Sequence, residues 1–334
     1  MPVQEKKESV LKRLGLDPFI LALITMIGLA YLNPGLGAEE GPLPLEQITT
    51  YGVSVIFFFY GLRLSPAKLK AGLSDWRLHM VVQLCTFLLF PLLVYIGSLL
   101  LAQEHNQLLW LGAFYVAALP STVSSSVVMV SIAGGNIPAA IFNASVSSII
   151  GVFVTPMWMG LFLTSHTAGE YDLTSIFLKL ILQVLVPVAL GVLLNKQFGA
   201  FAERQKGRLR LFDQTIILLI VYSSFCDSFS RHMFQGYSPA DLLILGGSMI
   251  GLFFLVYGLI QGISRLLGFS RENTITAVFC GSKKSLVHGT VMSKVLFPDA
   301  NSVGIILLPL MLYHALQLIA ASVLAKRMAK HVPH

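Results

Sequence analysis

Val278-Phe279-Cys280-Gly281-Ser282-Lys283-Lys284-Ser285 sets two adjacent lysines inside an otherwise apolar stretch running from Asn273 to Leu296. At the centre of a membrane helix each ammonium would cost about 2.5–3.5 kcal/mol on insertion scales. Such a cost is tolerated where the charge faces a wet cavity or a partner inside a helix bundle, so Lys283 and Lys284 read first as a functional site.

The rest of the chain agrees that the solvent is a bilayer. Of its 334 residues 55% are hydrophobic and only 12% charged, about half the charged share of a soluble domain. Ten apolar stretches are long enough to span, at 19–36, 48–65, 78–101, 108–133, 137–164, 175–195, 212–230, 242–266, 273–296 and 302–325. This predicts an all-α polytopic membrane protein. Its N-terminal segment, Met1 to Asp17, is too polar for a cleaved signal peptide.

Most of the 23 basic residues fall into alternate connections: Lys6, Lys7, Lys12 and Arg13; Arg63, Lys68, Lys70 and Arg77; Lys196, Arg204, Lys206, Arg208 and Arg210; Arg265 and Arg271; Lys326, Arg327 and Lys330. The opposite connections hold Arg231 with Glu39, Glu40, Glu46, Glu104, Glu170, Asp172 and Asp299. An excess of Lys and Arg marks the cytoplasmic side, which puts both termini inside and accounts for the net charge of +7 without nucleic acid. Cys85, Cys226 and Cys280 lack metal-like spacing, so neither a disulfide framework nor a zinc site is indicated.

Five spans precede the Glu170–Thr174 connection (19–164) and five follow it (175–325). An odd-numbered half, duplicated, inserts with opposite orientation, which is the arithmetic of an inverted-repeat transporter. The fourth span of each half is the interrupted one. In the first, Pro120 is followed by Ser121, Thr122, Ser124, Ser125 and Ser126; in the second, Gly281-Ser282-Lys283-Lys284-Ser285 intervenes. Proline removes a backbone donor and breaks or kinks a helix, and paired interruptions point to a transporter's binding site. Half-helices ending near Leu119 and Cys280 would present free carbonyls to a cation, and those that restart would present N–H groups to an anion. Lys283 is expected beside those carbonyls, with Lys284 second.

Bland readings compete at each position. Hydroxyl clusters often serve helix packing. Lys179 and Lys294, near span ends, read as snorkelling, and Asp213 as structural. Asp227 is either a lysine partner or a rim residue, and His79 an interfacial anchor. His288, one turn beyond Lys284, is a candidate; His314 reads as a satisfied core histidine. Asn143 and Gln83 read equally as interhelical glue or as ligands.

At these residues the chain resembles the bile acid:sodium symporter family, in its SBF-like branch. The matching strings are Phe59-Tyr60-Gly61-Leu62-Arg63-Leu64-Ser65, Trp76-Arg77-Leu78-His79, Leu119-Pro120-Ser121-Thr122-Val123-Ser124-Ser125-Ser126, Ala133-Gly134-Gly135-Asn136 and Phe279-Cys280-Gly281-Ser282-Lys283-Lys284-Ser285-Leu286. The resemblance implies ten helices, a panel domain of spans 1, 2, 6 and 7, a core domain of spans 3–5 and 8–10, and a crossing of the unwound fourth and ninth spans. It also implies sodium ligands that this chain does not keep. Phe279 stands at the glutamate position, Lys283 at the glutamine position, Ser125-Ser126 at a serine/asparagine pair, and Ala140 and Ala144 where hydroxyls are usual, beside Asn143 and Ser145.

The function this implies is a secondary transporter of a small organic anion, symporter-like, in the cell membrane. A lysine in sodium's place would make the carrier sodium-independent, or proton-coupled if burial lets the lysine cycle, with the coupling ion, sodium or proton, left open. A non-transporting membrane sensor of the same ancestry remains the alternative. No HExxH, Gly-x-Ser-x-Gly or C-x-x-C points to an enzyme, and no cofactor is expected. The other partners expected are the solute and the lipid.

Overall fold

A computed structural model describes residues 18–63, 75–102, 106–166, 178, 181–235, 237–297 and 302–329. Among them there are helices and no strands. In chain order these are α1 (Pro18–Leu32), followed by a 3-10 turn at Pro34–Leu36, α2 (Leu45–Arg63), α3 (Trp76–Leu101), α4 (Gln107–Ala118), α5 (Ser124–Ala133) and α6 (Ile137–His166). The second half holds α7 (Ile181–Arg204), α8 (Lys206–Ser230), α9 (Pro239–Leu266), α10 (Arg271–Gly281), α11 (Leu286–Leu296) and α12 (Val303–Ala329).

Six of these, α3, α6, α7, α8, α9 and α12, are long and apolar enough to cross a membrane. Their outward faces stay apolar: Leu100 and Leu243 are each 77% exposed. Contiguous apolar surface of that extent belongs against hydrocarbon, where a helix satisfies its own backbone. This is a multi-pass membrane protein.

The expected break in 108–133 separates α4 from α5, and that in 273–296 separates α10 from α11. One expectation fails. The stretch 196–210 is no loop: α7 and α8 join at the single residue Gln205, so Lys196, Arg204, Lys206, Arg208 and Arg210 ride on helix ends. Lys, Arg, Gln and Glu are good helix formers, and a helix need not stop where the bilayer does. Lys6, Lys7, Lys12, Arg13, Lys68, Lys70, Glu104, Glu170, Asp172, Lys179, Asp299 and Lys330 lie outside the described residues, as does Ser65.

The helices pack in two groups. Helix α2 lies along α7 and α8, and α1 along α8. At the α2–α7 crossing a Cβ on Gly61 would strike the Val188 carbonyl and one on Gly191 the Phe58 carbonyl, so the backbones meet directly. In the other group α10 lies between α3 and α9, while α12 packs on α4, α5 and α9. Contacts of α8 with α11 and α12 join the groups.

Candidate functional site

The two interrupted spans touch where they unwind: the Ser285 N–H donates to the Pro120 carbonyl at 2.9 Å. The Pro120 ring rests against Gly151 of α6, where a Cβ would come within 2.7 Å of it. An unwound backbone inside a bilayer must find partners for its freed groups, and here side chains of neighbouring helices supply them. From α6, Ser147 accepts from the Ser121 N–H (2.9 Å) and Thr155 donates to the Ala118 carbonyl (2.8 Å). From α12, Tyr313 donates to the Ser282 carbonyl (2.6 Å), and Gln317 brackets Lys284, accepting from its N–H (2.8 Å) and donating to its carbonyl (2.7 Å). Tyr115 of α4 donates to the Gly289 carbonyl of α11. Each break is therefore sutured chiefly by the last long helix of its own half.

Lys284 is fully buried, and its ammonium donates to three carbonyls: Thr86 (2.7 Å), Ala117 (2.6 Å) and Leu119 (2.8 Å). Its three donors are thereby all used. The Phe90 ring covers it at 4.3 Å from the centroid, a cation–π contact. Two of these carbonyls belong to the frayed end of α4. The third has a different origin. Residues Cys85–Leu89 of α3 form a π turn, in which the Thr86 carbonyl would bond the N–H five residues on, at Pro91, which has none. Without that N–H the Thr86 carbonyl is available to Lys284, and the Phe87 carbonyl accepts from Trp158 Nε1 at 2.7 Å. Sequence reasoning put Lys283 on the helix-end carbonyls. The structure gives that place to Lys284, because the carbonyl cluster lies on the α3–α4 side of the unwound segment.

Lys283, also fully buried, reaches the other way and donates to Ser125 Oγ at 2.7 Å. Ser125 donates to Thr122 Oγ1 (2.8 Å), Thr122 and Ser126 share a bond of 2.7 Å, and Ser126 donates to the Phe279 carbonyl (3.1 Å). A carbonyl only accepts, so Ser126 spends its proton there and Thr122 must donate to Ser126. The chain has one direction, from ammonium to the carbonyl that α10 leaves open at its end. Such chains polarise each bond in turn. Ser124 opens α5, but its side chain lies outside what the structure describes.

The remaining candidates divide. Gly281 closes α10 against Ile260, and Ser282 Oγ folds back on the Val278 carbonyl (2.7 Å). Ser285 caps α11 and bonds His288 Nδ1 at 2.9 Å, and His288 stacks on Tyr60 of α2 with centroids 5.0 Å apart. Gln83 and Asn143 bond each other at 3.2 Å and join α3 to α6. Ala140 and Ala144 are buried, while neighbouring Ser145 turns back to the Ile141 carbonyl. Three buried polar atoms on the broken spans, Ser121 Oγ, His288 Nε2 and Thr290 Oγ1, have no hydrogen-bond partner among the described residues.

Outside the crossing, Asp213 pairs with Arg63 at 3.5 Å and Asp227 accepts from the Glu39 N–H at 2.7 Å. Lys294 is half-buried, in the field of the acids Asp227, Glu46 and Glu39, and His314 bonds Gln317 at 3.0 Å. His79 is no interfacial anchor: it is buried and packed on Phe142, because α6 covers that face of α3. Sequence reasoning missed Thr86, Phe90, Tyr313, Gln317 and Thr290. Pro91 was the readable signal for the first, since a proline inside an apolar span announces open carbonyls one turn earlier.

Comparison with known proteins supplies the context. Residues 17–330 match the SBF-like CPA transporter family. The chain is 41% identical over 314 residues to the uncharacterized protein PA2026 of Pseudomonas aeruginosa, covering 94% of this chain and 93% of that one. It is 38% identical over 312 residues to YfeH of Escherichia coli strain K12, covering 93% and 92%. To sodium/bile acid cotransporter 7 of Xenopus tropicalis it is 34% identical over 319 residues, covering 95% and 92%.

Proposed function

The chain belongs to the SBF-like CPA transporter family, and from that premise we propose that it carries a small organic anion across the cell membrane without sodium. Lys284 stands where a coupling cation would otherwise sit. The observation that carries this reading is the ammonium held by the carbonyls of Thr86, Ala117 and Leu119. Helix-end carbonyls attract a cation, and a tethered one with all three donors used leaves no vacancy for a mobile ion.

Two inverted five-span repeats, with both termini cytoplasmic, complete the proposal. Helices α1, α2, α7 and α8 form the panel and α3–α6 with α9–α12 the core, and transport is a rocking of one against the other. The separate packing of α1, α2, α7 and α8 supports it. Cargo binds at the crossing, where Ser121 Oγ, His288 Nε2 and Thr290 Oγ1 await partners and Lys283, bonded to one hydroxyl, supplies positive charge.

The test is uptake of radiolabelled organic anions into proteoliposomes, with sodium or choline outside. Equal uptake in both media is expected. Wild-type uptake that requires sodium would overturn the reading. Saturable solute binding with no counterflow in either medium would favour a sensor.

A further inference from the structure

Helices α7 and α8 are both long and apolar enough to cross the membrane, and they meet at Gln205, so their join is an elbow at one membrane face. Its underside is packed. Leu62 of α2 forms a small core of its own with Ala202 and Leu209, and Asn195 donates to the Leu62 carbonyl at 2.6 Å. That packing fixes the two helix ends and leaves their charged residues outside: Lys196, Arg204, Lys206, Arg208 and Arg210 are all exposed. Glu203, the one acid in this stretch, reaches Lys206 at 3.8 Å, an exposed contact worth little in water. Among the described residues Arg204, Arg208 and Arg210 form no ion pair.

Both arms of the elbow carry their groups in the same order. Phe201 (57% exposed) precedes Arg204 by three residues on α7, and Leu211 (64%) follows Arg208 by three on α8. Residues three apart share a helix face. Because α7 ends at the elbow and α8 begins there, each apolar side chain sits about 4.5 Å deeper in the bilayer than its arginine. A phospholipid presents that order too, acyl chain below and phosphate above. We propose that the elbow binds anionic phospholipid of the phosphatidylglycerol type, with Arg204, Arg208 and Arg210 on phosphate and Phe201 and Leu211 among the acyl chains. Lys196, about two turns deeper than Arg204, snorkels toward the same level. A guanidinium holds phosphate through paired N–H donors, and clustered basic side chains favour a headgroup of net negative charge over a zwitterionic one. The inference needs only that α7 and α8 turn at a membrane face, and stands apart from cargo and coupling.

Native mass spectrometry of the full chain, released from micelles holding equal phosphatidylglycerol and phosphatidylcholine, compares the lipid retained. Wild type is expected to retain phosphatidylglycerol about tenfold over phosphatidylcholine, within what three basic side chains supply at an anionic surface. Arg204→Gln/Arg208→Gln/Arg210→Gln keeps good helix formers on an exposed surface and is expected to bring that ratio near parity. Arg77→Gln/Arg265→Gln/Lys326→Gln removes as much charge from other exposed helix ends and is expected to leave the ratio unchanged. As a second readout, phosphatidylglycerol should raise the melting temperature in detergent of wild type and of the second variant, but not of the first. Excess glycerol phosphate, which has the headgroup chemistry without the chains, is expected not to displace the lipid. A wild-type ratio near parity, equal loss in the two triple variants, or displacement by glycerol phosphate would overturn the proposal, the last in favour of a soluble phosphate ligand.

Discussion

Lys284 ends on three backbone carbonyls and an aromatic face, whereas its neighbour Lys283 ends on one serine at the head of a hydroxyl relay. Both are fully buried. Burying an ammonium is costly unless its donors are met, and the two solve that problem with different material. Backbone carbonyls are fixed by the helices that own them, so the Lys284 site is rigid and ties α3, α4 and the α10–α11 turn together. Hydroxyls rotate and exchange partners, so the Lys283 site can give up its bond to an incoming group. In the function proposed above, the first cation holds the crossing and the second meets cargo.

Lys284→Met should test that division hardest. It leaves three buried carbonyls without their donor, and breaking a buried charged contact of this kind costs about 3–5 kcal/mol. A large drop in the melting temperature in detergent is expected, and a small one would break the comparison. Lys283→Met loses one charge-assisted bond, about 1.5–3 kcal/mol. It should lower the melting temperature less than Lys284→Met while abolishing uptake by protein that still folds; retained uptake would remove Lys283 from the cargo site.

Ser126→Ala should cost about 1–3 kcal/mol by stranding the Phe279 carbonyl, whereas Ser126→Thr keeps a hydroxyl and should recover most of it. Thermal melting of the two variants side by side is the check. The smallest effect is expected from Pro91→Ala, within about 1 kcal/mol of wild type. The new N–H would compete with Lys284 and Trp158 for the Thr86 and Phe87 carbonyls. Protection of the residue 91 N–H from hydrogen exchange equal to that of its helical neighbours would register the competition, and fast exchange there would show that Lys284 and Trp158 keep both carbonyls.

The two breaks were legible from residue types alone. Pro120 cannot continue a helix, and the run 281–285 places glycine, serine and two charges where an apolar helix should be. The hydroxyl-rich segment and the double lysine were also paired correctly: Lys283 does reach Ser125. The assignment of the carbonyl site went to the wrong lysine. Outside a regular helix the 100° step between neighbours no longer sets direction, so chain order cannot say which ammonium turns toward α4. The π turn in α3 was hidden as well, since its local sequence, Cys85-Thr86-Phe87-Leu88-Leu89, is ordinary for a membrane helix. Likewise, the helical join at Gln205 was mistaken for a loop because charge signals the membrane edge without ending a helix.

By itself the sequence determined the solvent, the places where two helices must stop, and the types of group left exposed there. Those follow from hydropathy and from proline's missing donor, which act within a few residues. Only the tertiary structure decided which freed carbonyl met which ammonium, and that Gln317, Tyr313 and Thr155 would seal the crossing. Each of these is a match between groups far apart in the chain, and its strength depends on tenths of an ångström that helix packing sets.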